Sequence, residues 1–557
     1  VAETWEEELW AIQVKGYDPG NRVPISEIDS FISASSRPEF AHRFLISTGQ
    51  VSKNAEYKLA HQEKSTAFLL YPQLSESPVN WLAFLDQSDA PLPDKKTPRP
   101  HQQRAIDDVI AGFASNDRGR LIMACGTGKT LVGVWVSERL ESSRTLVLVP
   151  SLSLVNQVSK EWQVNSKEPF RALFVCSDQT VADDAFISNT GEFGHSVTTD
   201  PEKILGFLSG PGRRVVFSTY QSSPQIAAAQ DSGAPGFDLV IADEAHHCAG
   251  KVDSAFATVL DPDNLKANHR LFMTATPRYL SRRLRDEVGQ LNVQANSMDD
   301  PSVFGPEFHV LTFGQAIEQE LLSDYQVLII GVTDREVKRL IDNRTTVELS
   351  GAIPPTDAES LAAMLGVSKA VHRYDLHHVI TFHNRVKRAQ EFSSSFSQVN
   401  ARLPDDESVP NLWPGHISGN MPTGERARIL QRFRDATEGV SLLSNARCLG
   451  EGVDIPAIDG IGFIDPRRSN IDIVQAVGRA IRKSDQKKVG SIIIPVFIDD
   501  VTGENTDELL HQSRFSPIWS VLSALRAHDE VLREQIDQLR FEWGRHGRMI
   551  GTLPAKV

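Results

Sequence analysis

Six consecutive residues, Cys125-Gly126-Thr127-Gly128-Lys129-Thr130, follow the apolar run Leu121–Ala124 and precede a helical pattern over Leu131–Leu140. That strand–loop–helix order suits a phosphate. Glycines let backbone N–H groups turn inward, and the start of the helix adds partial positive charge. On this reading Gly126, Thr127 and Gly128 wrap the phosphates of ATP, Lys129 neutralises the β- and γ-groups, and Thr130 offers its hydroxyl to Mg²⁺. One departure from the GxxxxGK[ST] pattern is visible: Met123 stands where its first glycine belongs.

A second pair of groups completes this chemistry. The apolar run Leu239–Ala242 ends in Asp243-Glu244-Ala245-His246. Adjacent carboxylates at the end of a buried strand are costly unless they serve a cation or a proton. Asp243 fits as the partner of Mg²⁺, and Glu244 as the group that orients and deprotonates an attacking water.

In order and spacing, these and further segments resemble the superfamily 2 helicases over residues 99–485. Arg99-Pro100-His101-Gln102 resembles that family's adenine-sensing motif, which assigns Gln102 to the nucleotide. Val149-Pro150-Ser151 and Ser218-Thr219-Tyr220-Gln221 are similar to first-lobe segments that touch the nucleic-acid backbone, and Thr274-Ala275-Thr276 to the segment that couples hydrolysis to it. Gln475-Ala476-Val477-Gly478-Arg479-Ala480-Ile481-Arg482 resembles the arginine-finger motif. The resemblance implies that Arg479 and Arg482, three apart on one helical face, reach the γ-phosphate from a second lobe. A guanidinium fork matches phosphate oxygens well. Glu451-Gly452-Val453-Asp454 resembles the preceding motif, with Asp454 at the ribose. Phe382-His383 and His416-Ile417-Ser418-Gly419 are similar to second-lobe segments that grip the strand.

Near the amino end, Trp10-Ala11-Ile12-Gln13-Val14-Lys15 alternates with period two, so Ala11, Gln13 and Lys15 share one face of a strand. Gln13 and Lys15 resemble the QxK half of the PD-(D/E)xK nuclease site, and the flanking sequence is similar to nucleases of the Mrr group. There Lys15 positions or activates water beside a metal. The metal-binding Asp expected upstream is absent: the nine residues before Trp10 hold Glu3, Glu6, Glu7 and Glu8 but no Asp. Since the chain opens on Val1, the expectation is a nuclease unit lacking its first elements.

The elements that must position these groups are legible as an α/β pattern. In the amino-terminal unit, 1–75, a strand over Trp10–Tyr17 leads to a helix capped by Ser26 with Ile25, Ile28, Phe31 and Ile32 inward. A second strand, His42–Ser47, precedes a helix starting near Ser52. Four prolines among 76–98 mark a linker. From 99 to 300, continuous apolar runs such as Thr145–Val149, Val215–Ser218 and Leu271–Thr274 read as buried parallel strands. A second series, within 301–500, includes Val379–Phe382, Val440–Leu443, Gly460–Ile464 and Ser491–Val496. Residues 501–557 follow as a helical segment, with Trp519, Leu522 and Leu525 as packing positions. With the family resemblance, the fold class is α/β: two RecA-like parallel-sheet lobes in tandem behind a truncated restriction-endonuclease-like unit.

Composition excludes several classes. With 557 residues, 40% hydrophobic and 23% charged, the chain is globular and multi-unit. No apolar run is long enough to span a membrane and no signal pattern opens the chain, so cytoplasmic residence is expected. Four dispersed cysteines, Cys125, Cys176, Cys248 and Cys448, read as reduced thiols. The net charge of −14 still leaves room for a local cationic groove. Two basic clusters, Arg278 to Arg285 and Arg426 to Arg434, are candidates for one, with a solvated helix face as the competing explanation.

The leading expectation is an ATP- and Mg²⁺-dependent motor on double-stranded DNA, carrying a nuclease unit, in restriction or phage defence. The resemblance extends to the motor subunits of type ISP and type I restriction enzymes, so methyltransferase or specificity partners are implied outside this sequence. A DNA-remodelling helicase with an inactive, DNA-binding amino-terminal unit is one alternative, and an RNA-dependent ATPase is another.

Overall fold

A computed structural model describes residues 2–3, 9–71 with isolated gaps, 94–177, 197–251, 255–279, 295–342, 358–446 apart from 406, 420 and 422, and shorter stretches (449, 458–465, 470–483, 489–498 and 516–534 apart from 531). Three parallel-rich sheets succeed one another along the chain. In the first, Leu9–Lys15, Phe40–Ser47 and Thr66–Leu70 pair in parallel, and Ala2–Glu3 adds an antiparallel edge. The helix Ile25–Ala34 covers this sheet, burying Ile28 and Phe31. It begins one residue before Ser26 with Pro24 in the cap position and no side-chain cap bond, so Ser26 is not the cap. Ile25, 42% exposed in the first turn, lies outside the buried stripe.

The first lobe is an eight-stranded, all-parallel sheet. Its spatial order is Glu307–Leu311, Arg118–Met123, Ala267–Thr274, Phe237–Asp243, Arg144–Val149, Arg214–Thr219, Arg171–Val175, Val197–Thr198. Helices cover both faces, which is why these strands read as continuous apolar runs. Leu239, Val240 and Ile241 are all fully buried, one after the other. The order matters for function. The strands carrying Lys129, Thr274 and Asp243 at their carboxyl ends are immediate neighbours, so their terminal loops converge at one edge, where open α/β sheets hold ligands.

The second lobe is a six-stranded parallel sheet in the order Asp324–Thr333, Val489–Ile498, Gly460–Phe463, His378–Phe382, Val440–Asn445, Leu412–Ile417. The change from one sheet to the next falls between Leu311 and Asp324, a little beyond residue 300. Between them runs a short helix, Phe313–Glu318, closed by a capping box of Thr312 and Gln315. Of the carboxyl-terminal segment, the helix Ser516–Arg526 is described and packs on the helix Asn470–Ala480. Asp529 beyond it is buried and accepts the Tyr325 hydroxyl at 2.7 Å. The amino-terminal sheet approaches the second lobe, where Gln50 and Leu70 lie against Gly424.

Both basic clusters prove to be at least partly structural. Arg426 is 1% exposed and donates to the carbonyls of Gly419 and Met421, while Arg432 stacks over the Trp413 ring at 4.7 Å. Arg278 donates to the Ala249 carbonyl, and residues 280–285 lie outside the described set.

Phe308 locks the edge strand Glu307–Leu311 onto the first lobe. Its ring fills the space beside Gly112 and Gly119, where an added Cβ would sit 2.2 Å from ring carbons. Gly119→Ala is expected to destabilise the chain by about 1–3 kcal/mol in urea unfolding, as overpacking does. Combining it with Phe308→Ala should recover part of that loss, giving a favourable coupling term; strictly additive effects would show that the ring does not set the strand's position.

Candidate functional site

The loop after Arg118–Met123 turns on Gly126 and Gly128, with φ of 86° and 85°, a left-handed backbone that other residues adopt only under strain. Met123, at the position of the missing glycine, is fully buried as the last strand residue. The turn forms without it, helped by Thr127 Oγ1 donating to the Ala124 carbonyl at 2.7 Å. The helix Lys129–Arg139 begins directly afterwards. Backbone N–H groups at such a helix start make an anion cradle.

Lys129 Nζ lies 3.0 Å from Glu244 Oε1 and 3.3 Å from Asp243 Oδ1, and all three side chains are at most 14% exposed. Burial alone would depress the Lys129 ammonium, but the two carboxylates outweigh it and hold its pKa above the ordinary lysine value. Glu244 has φ 49°, a strained conformation for a residue with a side chain, and its N–H donates to Asp243 Oδ1 at 2.9 Å. Neighbouring elements brace the pair. Tyr220, fully buried, donates its hydroxyl to the Asp243 carbonyl at 2.7 Å. His246 sits 3.0 Å from Thr274 Oγ1 and 3.3 Å from Thr276 Oγ1, and 3.5 Å from Glu244 Oε2. The Thr274-Ala275-Thr276 segment is thereby linked to the acidic pair through one imidazole.

The second lobe closes the opposite side. Gln475, Gly478, Arg479 and Arg482 line the same cleft, of about 450 Å³, as Lys129, Thr130, Asp243 and Glu244. That volume suits a nucleotide-sized ligand. The lobes touch here: a Cβ on Gly478 would lie 2.7 Å from Cys125 Cβ, and one on Gly126 would lie 3.5 Å from Arg482 Cγ. Burial pushes the Cys125 thiol up to about 11, so it fills space as a neutral group. Arg479 is 8% exposed and sits on the helix Asn470–Ala480. Arg482 lies just past that helix, in an isolated backbone bridge to Leu322, so the two arginines do not share one helical face. Asp454 lies outside the described residues.

Several expected contacts take another form. Gln102 spends its amide on the protein, donating to the carbonyls of Thr127 and Gly128 (3.3 Å each) and accepting from Arg99 N–H at 2.9 Å. Its neighbour His101, not singled out from the sequence, also reaches Thr127 O at 2.9 Å. Ser218 and Thr219 are fully buried with internal partners, and Ser151 caps the helix Leu152–Asn165. His383 is buried and meets Thr381. These groups shape the first- and second-lobe edges from inside, because their strands end beneath the surface.

In the amino-terminal unit, Lys15 pairs with Glu27 at 2.5 Å, and Tyr17 donates its hydroxyl to Glu27 at 2.6 Å. Lys15 and then Tyr17 hold the Glu27 carboxyl below its usual range. Gln13 is partly buried two residues before Lys15 on the same strand. Glu27 was not legible as a partner, since it comes from the helix that crosses this face. Among the described residues no cluster of three or more His, Cys, Asp or Glu side chains forms a metal cage.

Known proteins match the same three parts. A family model described as restriction endonuclease covers residues 1–90, one for the type III restriction enzyme res subunit covers 95–279, and one for the helicase conserved C-terminal domain covers 360–484. The solved structure of the ATP-dependent type ISP restriction-modification enzyme LlaBIII bound to DNA is 30% identical, with TM-score 0.84 over 97% of this chain and 37% of that one. A nuclease-deletion mutant of the type ISP enzyme LlaGI, in complex with a DNA substrate mimic, is 29% identical with TM-score 0.56, over 81% of this chain and 31% of that one. A protein of African swine fever virus described as a probable helicase is 25% identical over 79% of this chain and 45% of its own length. The chain thus spans less than half of each of these relatives. Its architecture and the three matching models support a superfamily 2 helicase with an amino-terminal restriction-nuclease-like unit, similar to the type ISP restriction enzymes.

Proposed function

We propose that this chain is an ATP-driven translocase or helicase acting on double-stranded DNA, coupled to a nuclease unit in restriction or phage defence. One observation carries the reading: a single cleft draws an ammonium and two carboxylates from one lobe and two guanidinium groups from the other. In this proposal Gly126, Thr127, Gly128 and Lys129 hold the triphosphate of ATP, and Arg479 and Arg482 meet the γ-phosphate. The donor set fits a divalent ion, since Asp243 and Glu244 against one ammonium leave a net negative cluster in the cleft that Thr130 also lines. Thr130 and Asp243 would hold Mg²⁺, which would supply positive charge to the phosphates. Glu244, its carboxylate swung inward by the left-handed turn, orients and deprotonates the attacking water. Asp454 takes the ribose, as the family resemblance implies.

DNA as the partner is supported by the two type ISP structures, both solved with DNA or a mimic of it. Methyltransferase and target-recognition parts are proposed to act beside this motor from outside these 557 residues. No helix among the described residues is long and apolar enough to cross a membrane, which accords with the cytoplasmic site proposed here. In the nuclease unit Lys15, held by Glu27 and flanked by Gln13, is proposed to position water for Mg²⁺-dependent cleavage.

Lys129→Ala is expected to abolish ATP hydrolysis, assayed side by side with double-stranded DNA, single-stranded DNA and RNA. Strongest stimulation of the parent by double-stranded DNA supports the translocase reading, whereas preference for RNA refutes it. Arg479→Ala should lower kcat by about 10³ or more; a near-normal rate would make it a structural arginine. Lys15→Ala in the natural full-length protein should eliminate Mg²⁺-dependent DNA cleavage while leaving DNA-stimulated ATP hydrolysis intact. Cleavage that survives the change removes Lys15 from the site.

A further inference from the structure

Arg479 rides on the helix Asn470–Ala480, and that helix must stand at one place across the cleft. A displacement of about 1 Å at a reacting centre can cost about 10²-fold in rate. Two separate stretches of chain pack against this helix, and a third ties them together.

The first stretch is the interlobe segment. The Phe313 ring tip lies 3.7 Å from where a Cβ on Gly478 would sit, one residue before Arg479. Leu322 bridges the backbone of Arg482, and Ser323 N–H donates to the Ile481 carbonyl at 2.8 Å. The second stretch is the helix Ser516–Arg526. It buries Val521, Ala524 and Leu525 in the same cluster as Val474 and Val477 of the arginine-bearing helix.

The turn after Arg526 joins the two. His528 sets its ring against Phe313, with centroids 6.3 Å apart and planes at 81°. Burial pushes its imidazole down to about 4, so it packs there as a neutral ring. Asp529 is 2% exposed, and its two oxygens are separately engaged. One accepts the Tyr325 hydroxyl at 2.7 Å, the other the Leu532 N–H at 3.0 Å. Tyr325 is the second residue of the strand Asp324–Thr333, directly after the interlobe segment, and is 3% exposed. Burial, with the Asp529 carboxylate beside it, raises its hydroxyl well above the ordinary tyrosine value, so it stays a donor. Apolar packing alone tolerates small slides. A buried carboxylate does not, because losing its donor leaves it unsatisfied where water cannot replace the bond.

We propose that Asp529 is a positioning residue for ATP hydrolysis. Through Tyr325 it fixes the carboxyl-terminal helix and the interlobe segment as one block, and that block sets where Arg479 stands. The inference rests on the ATP site proposed above. Asp529 lies outside the cleft lining and acts only through the arginine-bearing helix.

The test is steady-state ATP hydrolysis by the whole chain with double-stranded DNA, in the parent and in an Arg479→Ala background. Asp529→Ala should lower kcat about 10²-fold, with little change in KM for ATP. Tyr325→Phe keeps the ring and removes only the hydroxyl, and should lower kcat in the same way. It carries the test alone where circular dichroism shows that Asp529→Ala does not fold. In the Arg479→Ala background neither change should lower kcat further, since the group they place is gone. Losses that multiply with that of Arg479→Ala would mean a general structural role and overturn the proposal. So would a folded Tyr325→Phe chain with the parent's kcat, while a slow Arg479→Ala leaves the ATP site standing. A near-normal rate in Arg479→Ala would instead overturn the role of that arginine, and this inference with it.

Discussion

The Lys129 ammonium, 3.0 Å from Glu244 and 3.3 Å from Asp243, holds together a group of charges that could not stand apart. Each is largely withdrawn from water, and removing one member of such a set leaves its partners buried and uncompensated, typically at a cost of several kcal/mol. Much of the first lobe's design follows from making that contact possible. Two strands remote in sequence, Arg118–Met123 and Phe237–Asp243, must end at the same level with only Ala267–Thr274 between them. Tyr220 and His246 then fix the carboxylate strand from the far side, so the charges meet at a set distance rather than drifting into a looser pair.

The same contact explains how the lobes communicate. Cys125 and Gly126 on the loop lie against Gly478 and Arg482, and Ser323 N–H donates to the Ile481 carbonyl at 2.8 Å. The arginine-bearing segment therefore packs on the phosphate loop and is tied by a backbone bond to the chain just before the strand Asp324–Thr333. A change in what the loop holds is felt directly by the second lobe, because close-packed surfaces shift between discrete arrangements instead of deforming smoothly.

What the sequence made legible divides along a physical line. Lys129, Thr130, Asp243 and Glu244 were readable because each follows a buried strand, and chain direction alone delivers them to the sheet's carboxyl edge. Both RecA-like sheets were readable for the same reason, since strands covered on two faces must be apolar throughout. Contacts between remote segments were not. Glu27 reaches Lys15 only because a helix crosses the strand, and Phe308 finds Gly112 and Gly119 only once its strand joins the first lobe. The resemblance could not show that the Gln102 amide also engages Arg99 and Thr127, or that Ser218 and Thr219, in a segment similar to ones that touch the nucleic-acid backbone, lie fully buried. Composition could not separate a basic groove from the internal scaffolding that Arg426 turns out to be.

The twelve-residue passage from Leu311 to Asp324, half of it wound into the helix Phe313–Glu318, has a mechanical consequence. A tether this short keeps each lobe at an effective concentration in the millimolar range or above as seen by the other. Separation of the halves is then never a dissociation: when the nucleotide contact is lost, the partner surface stays within reach and recloses without a diffusive search. Under the motor function proposed above, one lobe would release its track while the other keeps hold, so processivity would be written into the brevity of a linker as much as into any grip on the polymer.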